Sequence, residues 1–308
     1  MKTDQPFFLD EQQVREHLRM ADLIPAMEKA LIDFSAGRVT QPVRSIISIN
    51  PPGGFLGLMP ALTPDGLGLK AVTFYPSNVQ RGIPTHMAMI FLLDAQTGTP
   101  LAIMDGRLIT EMRTAAVSAV ATKLLASPDA KILAILGSGV QARSHVEALR
   151  LVRHFEEIRV WSRTGENAQR FAHEIGAVAM AAEDAVRGAD VIATVTSSKR
   201  PVLKGAWLKP GSHVNAIGAC RPDWRELDDD TMQRNVLFVD SREGAMHESG
   251  DVIFSSAKIY AELGTALAGK VPAPANETTI FKSLGMAVED IAAATLVYHN
   301  YLGLRAVN

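Results

Sequence analysis

The stretch ILAILGSGVQA, residues 132–142, constrains the fold more than any other part of the chain. An apolar run of strand type enters Gly137-Ser138-Gly139-Val140-Gln141-Ala142, a G-x-G-x-x-A turn that opens a helix. The first glycine permits a tight strand-to-helix turn, the second lets backbone approach a pyrophosphate, and the small third residue lets helix pack on strand. Unsatisfied N–H groups and the positive end of the helix dipole then face the anion. Backbone at Gly137, Gly139, Val140 and Gln141 is thus expected to cradle a dinucleotide. The alternation continues through strands at 158–161, 191–196, 214–217 and 237–239, with a helix over 166–175. That rhythm predicts an α/β fold with a Rossmann-type, doubly wound parallel sheet.

The tip of the second strand of such a sheet selects the dinucleotide. An NAD site places Asp or Glu there to bind the ribose hydroxyls. Here the strand ends in Ser162-Arg163-Thr164. A guanidinium flanked by hydroxyls suits a ribose phosphate, so NADP(H) is the expected cofactor, with NAD(H) as the lesser possibility.

The first third of the chain has a different texture. Leu23, Met27, Ala30, Leu31 and Phe34 recur at helical spacing up to Gly37. Short β-type runs follow at 44–49, 55–59, 67–74, 87–93 and 100–104, separated by glycine- and proline-containing turns. They predict a second, α+β lobe with an antiparallel or mixed sheet. A helix rich in small residues covers 108–125, and an apolar-striped helix over 283–301 is expected to return to the first lobe. The expected division is 1–112 with 284–308 for the substrate-binding and dimerisation lobe, and 113–283 for the dinucleotide-binding domain.

Three cations lie amid apolar residues of the first lobe: Arg44, Lys70 in LGLKAVTF, and Arg113 in EMRTAA. Cations in such settings are seldom left unpaired. Each reads either as an internal salt bridge or strand-edge charge, or as a ligand for a carboxylate substrate. His86 reads equally as a core histidine or as a group facing a ligand. Asp228, Asp229 and Asp230 read as an acidic helix start with only Asp228 turned inward, and no metal site is expected. With one cysteine among 308 residues no internal disulfide exists, and Cys220 reads as a small packed side chain. The net charge of −2 argues against nucleic acid as a partner. No apolar run approaches the roughly 18 residues of a membrane span, so a cytoplasmic location is expected.

Longer runs make the chain recognisable. LGLKAVTFYPSN, TGTPLAIMDGRLIT through RTAAVSAVATK, LGSGVQA, WSRT, NAIGACRPDWRELDD, ESGDV and TTIFKSLGMAVED together resemble the ornithine cyclodeaminase/mu-crystallin family over nearly the whole chain. The wording is nearest to the NADPH-binding ketimine reductase branch. The resemblance implies a homodimer formed through the first lobe and the returning C-terminal helix. Carried over position by position, it makes Lys70 the active-site lysine, Arg44 and Arg113 carboxylate-binding groups, and Asp228 the acid–base residue. Thr85, His86, Thr196, Ser197 and Ser283 match the nicotinamide end, with Arg113 also among the cofactor contacts. Ser162, Arg163, Thr164 and Asn167 match the adenosine-phosphate pocket. The implied activity is reduction of the C=N bond of an amino-acid-derived, cyclic ketimine carboxylate. Alternatives within the resemblance are ornithine cyclodeamination to proline and ammonia, an amino-acid dehydrogenase, and a non-enzymatic protein binding NADPH and hormone. The absence of a carboxylate at Ser162-Arg163-Thr164 weighs against the cyclodeaminase.

Overall fold

The computed structural model describes residues 5–51, 53–274 and 276–304. They fall into two units: one runs to Arg113 and resumes at Met286, and the other spans Thr114–Gly285.

The first unit begins with β1 (Phe7–Leu9), α1 (Glu11–His17) and α2 (Met20–Ser35). A reciprocal Asp10–Gln13 capping box starts α1. In α2, Leu23, Met27 and Leu31 form one fully buried stripe. The chain then leaves the helix through Gly37, whose φ of 72° is left-handed. Strands β2 (Ser45–Ile49), β3 (Gly54–Thr63), β4 (Gly66–Phe74), β5 (His86–Leu93) and β6 (Pro100–Asp105) follow, and the division between the units falls inside α3 (Gly106–Leu125). The sheet order is β1-β6-β5-β4-β3-β2, antiparallel except for β1, which pairs parallel to β6. With three residues, β1 is too short to show a period in sequence.

Side chains alternate across this sheet. Met59, Lys70 and Ile90 stand in one cross-strand row and are all buried. Ile47, Leu56, Thr73 and Met87 form a row on the opposite face, where Ile47 and Met87 keep 53% and 41% of their surface exposed.

The second unit runs β7 (Ile132–Leu136), α4 (Val140–Arg150), β8 (Glu157–Trp161), α5 (Gly165–Ile175), β9 (Val178–Ala179), α6 (Ala182–Val186), β10 (Val191–Thr194), β11 (His213–Ala216), α7 (Asp229–Gln233), β12 (Val236–Val239), α8 (Arg242–Glu248), α9 (Gly250–Ser255), β13 (Ile259–Glu262), α10 (Leu263–Leu267) and β14 (Thr279–Lys282). Its strand order is β13-β12-β14-β11-β10-β7-β8-β9. Every pairing is parallel, and β10, β11 and β14 are buried at each position, as sheets covered on both faces require. The order reverses between β7 and β10, which makes the carboxyl ends of these two strands the topological switch point.

The last element, α11 (Ala287–Tyr301), belongs to the first unit and packs on β3 and β4. A Cβ at Gly68 of β4 would come within 2.6 Å of Ile291 Cδ1 and 2.5 Å of Phe91 O, so glycine is what lets the helix lie this close. The sequence pattern starts this helix at Ser283, but the structure starts it at Ala287. Asp240 Oδ2 accepts from Leu284 N at 2.6 Å and Gly285 N at 2.9 Å, fixing a turn where the first helical residues were expected. Among the described residues no helix is long and apolar enough to cross a membrane.

Candidate active site

The first unit concentrates charge beneath its sheet. Lys70 is 1% exposed, and its Nζ lies 2.6 Å from Asp290 Oδ2. Arg113, in α3, donates from Nε to Asp290 Oδ1 at 2.9 Å and from Nη1 to Glu289 Oε2 at 2.7 Å. Both carboxylates sit in the first turn of α11, where the helix dipole favours negative charge, and both are fully buried. Burial drives the Lys70 ammonium from its ordinary value of 10.5 to about 8; Asp290 opposes that shift, while Arg113 and Arg44 reinforce it. Burial works to raise the Asp290 carboxyl, but Arg113 and Lys70 outweigh it and hold the group below its usual range. His86, at the start of β5, is lowered to about 4 by burial and by the fields of Lys70 and Arg113. It is therefore a neutral imidazole at physiological pH, set among cations.

Arg44 is half-buried and precedes β2, whose first residue is Ser45, one residue after the start of the expected run. The sequence reading gave Arg113 to a substrate carboxylate and to the cofactor. In the structure the carboxylates that Arg113 engages are the protein's own Glu289 and Asp290, the internal salt bridge named as its alternative. Thr85 is half-buried beside His86, and its carbonyl accepts from Tyr75 N at 2.8 Å.

The second unit carries the glycine turn at its switch point. Gly137 follows β7 with φ 136°, and a Cβ there would meet Val195 O at 2.7 Å. Only glycine lets the ends of β7 and β10 approach this closely. Gly139 is the N-cap of α4, and a Cβ built on it would meet nothing within 4 Å. Open space therefore lies directly before a helix of 11 residues, as a pyrophosphate would need. Val140 projects into solvent, Gln141 Oε1 is buried without a partner, and Ala142 is fully buried against the sheet. At the tip of β8, Ser162 Oγ accepts from Ser138 Oγ at 2.9 Å, tying the strand end to the glycine turn. Arg163 and Thr164 are exposed there, and Asn167, in the first turn of α5, accepts from Arg170. The glycine turn at the switch point fits a nicotinamide dinucleotide.

Two other residues singled out in the sequence have local partners. Asp228 is half-buried and caps α7: its Oδ1 accepts from Gly205 N at 3.0 Å, Thr231 N at 2.9 Å and Thr231 Oγ1 at 2.6 Å. That oxygen serves the helix start, and of the three consecutive acids Asp228 alone is not exposed, the one expected to turn inward. Ser283 is 1% exposed, its Oγ 3.4 Å from Asp240 Oδ2. Nearby Glu226 is fully buried and accepts from the backbone and hydroxyl of Thr196, both at 2.6 Å. Ser197, the next residue, is exposed.

Sequence reasoning left Glu289, Asp290 and Glu226 unassigned although each lies in a run quoted above. The available signal was a pair of adjacent acids opening an otherwise apolar helix, a place where burial requires buried cations elsewhere.

The model of the ornithine cyclodeaminase/mu-crystallin family matches residues 4–304. The chain is 51% identical over 305 residues to the ketimine reductase mu-crystallin of Mus musculus, covering 96% of this chain and 97% of that protein. The structure of Thermococcus litoralis Delta(1)-pyrroline-2-carboxylate reductase in complex with NADH and L-proline superposes with a TM-score of 0.92 at 36% identity, covering 96% of this chain and 98% of the other. An archaeal alanine dehydrogenase dimer with bound NAD gives a TM-score of 0.91 at 33% identity, over 97% and 96% of the two chains. On the whole-length family match and on relatives this similar, the chain belongs to the ornithine cyclodeaminase/mu-crystallin family.

Proposed function

We propose that this protein is an oxidoreductase that uses NADP(H) to reduce the C=N bond of an amino-acid-derived, cyclic imine carboxylate. The observation that carries the reading is Lys70, a buried ammonium lowered to about 8 and held by Asp290 in a unit rich in cations. Protonation of the imine nitrogen is the chemistry such a group serves, because a proton donor works best when its pKa lies near the working pH. Lys70 carries the proton, and Arg44 orients the substrate carboxylate. Glu289 and Asp290 hold Arg113 and Lys70 in place, and neutral His86 lines the same cationic region. The bound nicotinamide supplies the hydride. The ketimine reductase and pyrroline-2-carboxylate reductase relatives support this substrate class. A screen of Δ1-pyrroline-2-carboxylate and Δ1-piperideine-2-carboxylate with NADPH should show absorbance falling in proportion to imine consumed. No oxidation with any cyclic imine carboxylate would reject the reading.

The preference for NADP(H) rests on Arg163. Replacing Arg163 by Ala removes a charge-assisted contact worth roughly 1.5–3 kcal/mol, so the NADPH dissociation constant should rise by about 10- to 150-fold. NADH affinity should change by less than about threefold, since its ribose carries no phosphate for the guanidinium to hold. Titration of both nucleotides by fluorescence checks this, and parallel losses would place the phosphate elsewhere.

The working form is a homodimer through the uncovered face of the first unit's sheet. Ile47, Met87 and Met89 remain 53%, 41% and 44% exposed there, beside Leu56 and Leu58. Apolar sheet faces of this kind mark interfaces. Ile47→Asp should convert the dimer to monomer in light scattering, with activity falling as dimer is lost; an unchanged mass would put the interface on another face.

A further inference from the structure

Three of the sequence runs, RPDWRELDD, ESGDV and TTIFKSLG, meet in one buried polar cluster of the second unit. Glu226, Asp251 and Lys282 are each 0% exposed. Glu226 Oε1 accepts from Thr196 N and Thr196 Oγ1, both at 2.6 Å. Its Oε2 accepts from Gly218 N at 2.6 Å and Thr194 Oγ1 at 2.9 Å. Asp251 Oδ1 in turn accepts from the backbone N–H of Glu226 at 2.8 Å and of Leu227 at 3.0 Å, and its Oδ2 lies 3.3 Å from Lys282 Nζ. Thr194 ends β10, Gly218 follows β11 and Lys282 ends β14, so the cluster gathers the carboxyl ends of three neighbouring strands. Ligands of open α/β sheets bind at this edge.

A buried carboxylate with a full set of donors costs more to hold than a neutral side chain would, and such groups concentrate at functional sites. Glu226 is not itself directed at open space; both its oxygens accept from protein groups. What it controls is the segment leaving β10. By drawing both the N–H and the hydroxyl of Thr196 to one oxygen, it fixes the path of the backbone two residues beyond the strand.

We propose that Glu226, braced by Asp251 and Lys282, is a positioning residue that sets the loop after β10 against which the nicotinamide end of the cofactor rests. The inference builds on the reading of the second unit as the dinucleotide-binding unit. A glutamine cannot replace Glu226 here. Each carboxylate oxygen receives a backbone N–H, from Thr196 on one side and Gly218 on the other, and neither N–H can turn away. Whichever way the amide is placed, its NH2 faces a donor, and one strand end must move.

The test separates the two ends of the cofactor. In E226Q, the NADPH dissociation constant should rise tenfold or more and kcat should fall, while adenosine 2′,5′-bisphosphate binds within twofold of wild type. That ligand carries the phosphate expected at Arg163 and lacks the nicotinamide. A defect that merely loosens the unit would weaken both ligands together, and that result, or unchanged NADPH binding and turnover, overturns the proposal. If E226Q does not fold, T194V removes one hydrogen bond to Glu226 without changing volume. It should give the same split at about threefold, and equal losses for both ligands would again overturn the inference. Should the wild type bind neither ligand, the dinucleotide reading itself fails, and that outcome is distinct from a failure of the Glu226 assignment.

Discussion

Replacing Lys70 by Met should lower the rate of imine reduction by about 10²- to 10⁴-fold, the usual contribution of a positioned proton donor, and leave NADPH affinity within a few-fold of wild type. Methionine fills much of the volume of the lysine stem, and Asp290 keeps Arg113 as a partner at 2.9 Å, so the variant is expected to fold. The wild-type pH profile carries the same information. With a pKa near 8, Lys70 is protonated below that value, so kcat/KM for reduction should be flat on the acid side and fall toward tenfold per unit above it. In Lys70→Met that limb should vanish. Stability runs in the corresponding sense. The folded-state value lies below the ordinary 10.5, so the fold bears a penalty of about 3 kcal/mol for keeping Lys70 charged at pH below 8. The penalty is relieved as pH rises from about 8 toward 10.5. Near-normal turnover by Lys70→Met, or an alkaline limb that survives in it, would remove Lys70 from the chemistry.

Asp290→Asn should have the second large effect, and it acts on both stability and titration. The carboxylate binds Lys70 at 2.6 Å and Arg113 at 2.9 Å, with all three groups buried. Removing one partner of a buried ion pair costs about 3–5 kcal/mol, because the remaining charges lose their compensation. Urea denaturation should show that loss. Asp290 is also the main influence holding the Lys70 pKa up against burial, so the alkaline limb of the rate profile should move to lower pH. A destabilised variant with an unmoved limb would mean that the limb belongs to another group.

The parts of the site that could be read from sequence are those written locally. Gly137, Gly139 and Ala142 fall within six consecutive residues of a strand-to-helix turn, and each has the steric role its spacing predicts. Ser162-Arg163-Thr164 could be found by counting to the end of the next strand. Lys70 stood out as a cation in an apolar run, yet its alternatives could not be resolved without its partner, which lies on a helix near the other end of the sequence. The contacts of Arg113 with Glu289 and Asp290 span 176 and 177 residues, and no local pattern encodes them. Glu226 escapes a sequence reading for a related reason. It lies in an irregular stretch, where neither helical nor strand periodicity tells that its carboxylate is buried. The four-residue strand β14 went unread because so short a segment carries no period.

The chain order of the two units also bears on how the protein is made. Thr114–Gly285 is one uninterrupted segment, whereas the first unit is stitched together from sequence on both sides of it. During synthesis, β4 with Lys70 and the start of α3 with Arg113 leave the ribosome long before α11 brings Glu289 and Asp290. Desolvating those cations before their counter-charges arrive is unfavourable, so the N-terminal sheet must wait in a hydrated, incomplete form while the inserted segment closes its own core. Closing the first unit around Lys70 and Arg113 therefore has to await α11, a non-local step of the kind that slows folding.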